Sequence, residues 1–188
     1  MGEYYPGQIT IGGKITRTDF IRLFLVAQDS SVGLEYGERS VGSSPQELLS
    51  RMTATKPDHY SPLRLSSIEA SYGQFPDLEE FCRKHNLTYH YQCEAKYEYD
   101  GSFGWWKPGM KSPNSTTATQ GGDATIKLDD ILSVLRRNGT AEKKLARLTR
   151  HLKKDTPCNL PTLQIIDDGF DLTQWKTIDR EDLHAQEE

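Results

Sequence analysis

Cys82, His85, His90 and Cys93 are the first residues whose types and spacing could do chemistry. They read C-x2-H-x4-H-x2-C, the ligand types of a structural zinc site. Cys82 and His85, three apart on a helix, would share a face. His90 and Cys93 are also three apart, but on a strand that places them on opposite faces, whereas zinc needs all four to converge. The quartet stands as an alternative to a simpler reading, with Cys82 in the core and Cys93 in a sheet face, and no metal is expected. Nucleophilic catalysis has no visible machinery: GxSxG is absent, and five histidines lie scattered at positions 59, 85, 90, 151 and 184. Gly12-Gly13 sits where a phosphate loop would, but without GxGxxG or GxxxxGK[ST] it reads as a turn or bulge. No cofactor is implied.

Pro76-Asp77 followed by Glu94-Ala95-Lys96 matches the PD-(D/E)xK pattern of metal-dependent nucleases. In that chemistry two carboxylates hold Mg²⁺ and a lysine orients the attacking water or stabilises charge. The pattern is short and degenerate, and Asp77 opens a helix whose first turn also carries Glu79 and Glu80. Acids there ordinarily serve the helix dipole. Asp77, Glu94 and Lys96 are therefore the enzymatic alternative to a non-catalytic reading.

Tyr89, Tyr91, Tyr97, Tyr99, Phe103, Trp105 and Trp106 fall within eighteen residues. Adjacent Trp105 and Trp106 must point to opposite faces of a strand, so one is expected in the core and the other at the surface. With Tyr97, Tyr99, Lys96 and Lys107 nearby, the outer ring would suit base stacking or a protein hot spot. Cross-strand aromatic pairing that only stabilises the sheet is the alternative.

Charge is segregated. Residues 136–154 carry eight basic side chains against the single Glu142, while residues 155–188 carry nine acids against Lys176 and Arg180. Within the basic segment Ala141, Leu145, Leu148 and Leu152 recur at i, i+4, i+7 and i+11, one apolar stripe of a helix. Lys143, Lys144, Arg147 and Arg150 cover its flanks and back, dense enough to attract phosphates. The acidic tail is expected to be mobile or partner-docked and to restrain the basic helix electrostatically, while its four apolar residues Phe170, Leu172, Trp175 and Ile178 could dock as one helical turn or bind a partner.

The elements that must position these residues follow from periodicity and punctuation. A strand is expected over Gln8 to Ile15, then a core helix capped by Thr16, apolar nearly all round from Phe20 to Val26. Ser44-Pro45-Gln46-Glu47 starts a short helix with a capping box, and a loop is expected from Thr53 to Pro62. Gly33 to Glu38 reads as a possible short strand. Leu63 to Ala70 and Leu87 to Glu94 read as strands flanking a helix over Pro76 to Asn86. A β segment over Lys96 to Lys107 turns near Asp100-Gly101, weaker strands flank Gly121-Gly122, and two helices separated by Gly139 follow.

The fold class is α+β: a mixed sheet with helices mainly on one face, including split-βαβ, ferredoxin-like elements, plus a C-terminal helical pair. One domain is expected over residues 1–160, with an acidic tail over 161–188. The longest apolar run, Phe20 to Ala27, is far short of the roughly 18 residues of a membrane span. MGEYYPGQ has no secretory character, and three cysteines without CxxC suit a reducing compartment. The expectation is a soluble, cytoplasmic protein. It would bind a nucleic acid or nucleoprotein through the aromatic sheet face and basic helix. A purely protein-binding role through the Leu145, Leu148 and Leu152 stripe or the acidic tail is a further alternative. No membrane partner is expected.

Overall fold

The computed structural model describes residues 4–71, 73–95, 100–119 and 123–178. Along the chain run β1 (Tyr4–Thr16), α1 (Arg17–Asp29), α2 (Pro45–Arg51), β2 (Ala54–Lys56), β3 (His59–Tyr60) and β4 (Leu63–Ser71). Then come α3 (Pro76–Lys84), β5 (Thr88–Cys93), β6 (Gly101–Trp106) and β7 (Asn114–Ala118). The described chain ends with α4 (Leu128–Arg136), α5 (Ala141–Asp155), β8 (Leu163–Ile166) and the 3₁₀ helix η1 (Leu172–Thr177). The fold is a mixed α+β arrangement on an eight-stranded sheet.

β1 is the strand the sheet assembles around. Ile9 pairs antiparallel with Leu65 of β4 on one edge and with Tyr91 of β5 on the other. β4 and β5 are therefore parallel to each other with β1 between them, and α3 connects them: a split β-α-β unit. The earlier unit differs, since β1 and β4 are adjacent and antiparallel. Residues 13–16 of β1 then change partner and pair parallel with β8. β6 and β7 extend the sheet beyond β5, and the β2–β3 hairpin extends it beyond β8.

Side-chain alternation gives the sheet a core face. Ile9, Ile11, Leu63, Leu65, Tyr89, Tyr91 and Trp106 form one cluster with the apolar side chains of α1 and α3. Each fully buried Leu, Ile or Phe contributes about 1.5–3 kcal/mol over exposure. α1 is buried nearly all round because it touches the sheet, α2, α3 and η1. Its start is fixed by Thr16, whose side chain accepts from the Asp19 amide at 3.1 Å. α2 likewise starts on Ser44, which accepts from the Glu47 amide at 3.2 Å. Glu47 reaches back to Ser43 rather than to Ser44, accepting from its amide and hydroxyl at 2.7 and 2.6 Å.

Two expectations are corrected. The segment from Thr53 to Pro62 holds the β2–β3 hairpin, turned by Asp58 at φ +56°. Residues 33–38 form no named strand: Gly33 makes a lone bridge to Ser66, and a turn follows. Glu38 holds that turn, accepting from the Leu34 and Glu35 amides while pairing with Arg51 at 2.8 Å. Beyond residue 160, β8 enters the sheet and residues 172–177 dock on α1 and α2. There Arg17 pairs with Asp167 at 2.9 Å, and the Thr18 amide donates to Asp168 at 3.1 Å. Trp175 meets Phe24 edge-on at 5.5 Å, and Phe170, Leu172 and Ile178 pack on the core. Apolar anchoring and the N-terminus of α1 thus hold the described part of the tail on α1 and α2. Residues 179–188 lie outside the described residues.

α3 has no side-chain cap; buried Glu79 takes over that task by accepting from the Phe75 amide at 3.1 Å. Its other oxygen accepts from the Tyr89 hydroxyl at 3.1 Å, and that hydroxyl accepts from Arg83 at 3.3 Å. Burial and the Glu79 charge push the Tyr89 phenol well above its usual range. Glu79→Ala is expected to cost about 2–4 kcal/mol, since each buried donor left unpaired costs about 1–3 kcal/mol. Exposed Asp77→Ala should cost no more than about 1 kcal/mol, as only the dipole interaction is lost. Urea unfolding of the two variants checks the ranking, and equal costs would contradict it.

Candidate functional site

The second face of the sheet carries a different chemistry. Strand register aligns Ser66, Gln8, Gln92, Phe103 and Thr116 in one row across β4, β1, β5, β6 and β7. The neighbouring row is Arg64, Thr10, His90, Trp105 and Asn114. Polar positions that looked like solvent-facing alternation in separate strands thus form one polar and aromatic surface.

Part of this face is covered. Cys158 Sγ lies 3.6 Å from His90 Nε2, and a Cβ at Gly12 would fall on the Pro161 carbonyl oxygen. The chain after α5 therefore crosses the face as a strap from His90 to Gly12 before entering the sheet as β8. α5 lies against β7, the strand next to β6, which carries Trp105. Trp105 is only 3% exposed, and Trp106 on the core face is 6% exposed. Trp106 donates its indole N–H to the Met110 carbonyl at 3.1 Å and stacks on Tyr89 at 6.3 Å. The expectation of one surface tryptophan is thus corrected, because both indoles are buried, the outer one beside Phe103. Phe103 packs against both His90 and Trp105, at 5.4 and 6.1 Å. Tyr97, Tyr99 and Lys96 lie outside the described residues.

The Cys158–His90 contact joins residues 68 positions apart, which spacing alone could not reveal. Burial lowers the His90 pKa and raises that of the Cys158 thiol, the latter against the pull of Lys107. Both partners are held neutral, unlike the thiolate–imidazolium pair of an activated nucleophile.

The C-x2-H-x4-H-x2-C residues do not converge. Cys82 is fully buried in the core, and burial drives its thiol far above the usual range. His85 stacks on Phe81 at 4.1 Å and meets Asp19 at 3.3 Å. His90 faces the strap, whereas Cys93 is on the core face, where Gly73 (φ +67°) comes so close that a Cβ would overlap the Cys93 sulfur. Asp77 is exposed on the first turn of α3, and exposed Glu94 follows β5, so they do not sit on paired strands. Among the described residues no three His, Cys, Asp or Glu side chains gather to hold a metal.

Two open regions remain. The first is the α4–α5 hairpin, hinged at Gly139 (φ +144°) and capped by Thr140. No described side chain of α5 is buried, and α4 buries only Val134. The expected leucine stripe is split: Leu148 and Leu152 are half-buried, while Leu145 is 64% exposed, as is Leu128 at 67%. Lys143, Arg147 and Arg150 recur at i, i+4 and i+7, so they share one helical stripe, with Lys144 beside it. Arg147 donates to the Asn138 carbonyl at 2.8 Å, tying α5 to the hinge. None of these four cations, nor Arg136 or Arg137, forms an ion pair among the described residues; the pairs found lie elsewhere.

The second region is a cleft of about 300 Å³ on the uncovered part of the second face. Its floor is the Ser66–Gln8–Gln92 row, and the turn carrying Leu34, Glu35 and Tyr36 forms a wall. Arg64 and Glu94 also line it. The sequence signal for this site was the polar half of each alternating strand, but it became a site only once the register was known.

No protein-family model matches the chain, and comparison with curated proteins and with solved structures gives no match. No described helix is long and apolar enough to cross a membrane.

Because both indoles are buried, Trp105→Ala and Trp106→Ala should each destabilise the protein by about 3–5 kcal/mol, the range for truncating a packed aromatic. Thermal unfolding of both variants checks this. A Trp105→Ala protein as stable as the parent would mean that this ring is not packed in the fold.

Proposed function

We propose that the protein is a non-catalytic binding module that engages nucleic acid, alone or within a nucleoprotein, through the phosphate backbone and the cationic stripe of α5. One observation carries this reading: Lys143, Lys144, Arg147 and Arg150 stand on a peripheral helix without carboxylate partners among the described residues. Unpaired cations at helical spacing are what counterion-releasing phosphate contacts require. Glu142 on the same helix forms no ion pair among the described residues, and Asp167 and Asp168 further along the chain are engaged at the start of α1. With a net charge of −4 over the whole chain, attraction to a polyanion must be local to this helix.

The burial of Trp105 and Trp106 changes what such binding would read. Neither indole is open for stacking bases, so binding through α5 should depend little on base sequence and strongly on salt. Exposed Leu128 and Leu145 on the same hairpin favour a second reading, in which the partner is a protein.

Replacing Lys143, Lys144, Arg147 and Arg150 by Gln tests the proposal. Binding to a duplex oligonucleotide should weaken for every sequence, and the slope of log K against log salt should flatten by up to about 3–4, one counterion per lost phosphate contact. Unchanged binding in the Gln variant, with loss of a protein partner in Leu145→Ser, would favour the second reading. Mg²⁺-dependent cleavage abolished by Asp77→Asn and by Lys96→Gln would instead establish the nuclease.

A further inference from the structure

The cleft on the second face is separate from α5, and its charges are arranged along β1 in a definite order. Arg64 belongs to the row of Thr10, the Gln8–Gln92 pair to the next row, and the Glu94 amide bonds to the Pro6 carbonyl at 3.3 Å in the row beyond. Same-face rows are about 7 Å apart and neighbouring strands about 4.8 Å. The cation and the carboxylate therefore occupy opposite corners of the cleft, with the amides between them. Neither Arg64 nor Glu94 forms an ion pair among the described residues.

The middle of the cleft is a hydrogen-bonding platform. Gln92 Nε2 donates to Gln8 Oε1 at 3.3 Å, which leaves the Gln8 amide N–H₂ and the Gln92 carbonyl for a ligand. A donor beside an acceptor is complementary to a peptide group. Leu34 and Tyr36, the latter 69% exposed, offer apolar surface above this floor. The wall is preorganised, because Glu38 accepts two amides of its turn and is itself held by Arg51.

We propose that this cleft binds a short zwitterionic peptide, its carboxylate at Arg64, its ammonium at Glu94 and a peptide group on the Gln8–Gln92 pair. A purely anionic ligand, such as a nucleotide phosphate, would meet Glu35 and Glu94. A purely cationic one would meet Arg64. A ligand carrying both charges at its ends satisfies all of them. Both long side chains line the cleft, and a di- or tripeptide reaches about 7–10 Å when extended. The volume lies at the small end of ordinary ligand sites, about 300–1,000 Å³. This inference is independent of the nucleic-acid reading.

The test is titration of the full chain, labelled with ¹⁵N, with the tripeptide Gly-Leu-Gly, followed at the side-chain amides of Gln8 and Gln92. Those resonances should shift with the free tripeptide, and N-acetylated or C-amidated peptide should bind about tenfold or more weakly, as expected for a lost charge-assisted hydrogen bond. Glu94→Gln should abolish discrimination against the acetylated peptide while keeping it against the amidated one. Arg64→Gln should do the reverse. Both side chains are exposed, and an unchanged backbone spectrum confirms that each variant is folded. Equal binding of free and blocked peptides, or no shift at Gln8 and Gln92 at millimolar peptide, would overturn the proposal.

Discussion

The backbone donors and acceptors of β1 must be paired along both edges of a thirteen-residue strand buried in the middle of the sheet. No single neighbour does this. β4 and β5 take the edges of its first part, and β8 takes over at Gly13, whose φ of +134° lies where a side chain would strain the backbone. Because β8 is more than a hundred residues downstream, the chain must return across the sheet to reach it. Gly12 provides clearance for that return, since any side chain there would strike Pro161. The strap's course over His90 and Gly12 follows from this one closure.

Local signals in the sequence carried the elements well where chemistry and periodicity agreed. The Thr16 and Ser44 caps, the all-round apolar α1 and the alternation of Ile9 and Ile11 with Gln8 and Thr10 are all short-range. They appear in the structure as the residues predict. β8 was not legible, because Leu163-Gln164-Ile165-Ile166 is too short to signal by itself and its partner strand lies at the other end of the chain. The acidic stretch after Asp167 looked solvated by composition. Within it Phe170, Leu172, Trp175 and Ile178 stood out as one apolar turn, and they pack on the core while Asp168 accepts from the Thr18 amide at the start of α1.

Site legibility divides the same way. Charge density and helical spacing made the α5 cations visible, and they remain unpaired among the described residues. Alternation correctly put Trp105 and Trp106 on opposite faces but could not say that both rings are buried. The Arg64–Gln8–Gln92–Glu94 cleft depends on register across three strands, and a one-residue slip would bury its floor in the core. Such a site is a property of pairing, not of any motif.

A binding role centred on α5 is tested most directly by mapping a duplex oligonucleotide onto the ¹⁵N-labelled full chain at low salt. The account predicts that shifts will concentrate in residues 136–152, will be alike for unrelated base sequences and will disappear together as salt is raised. Shifts centred on Phe103 and Trp105, or distributed without preference for α5, would contradict it.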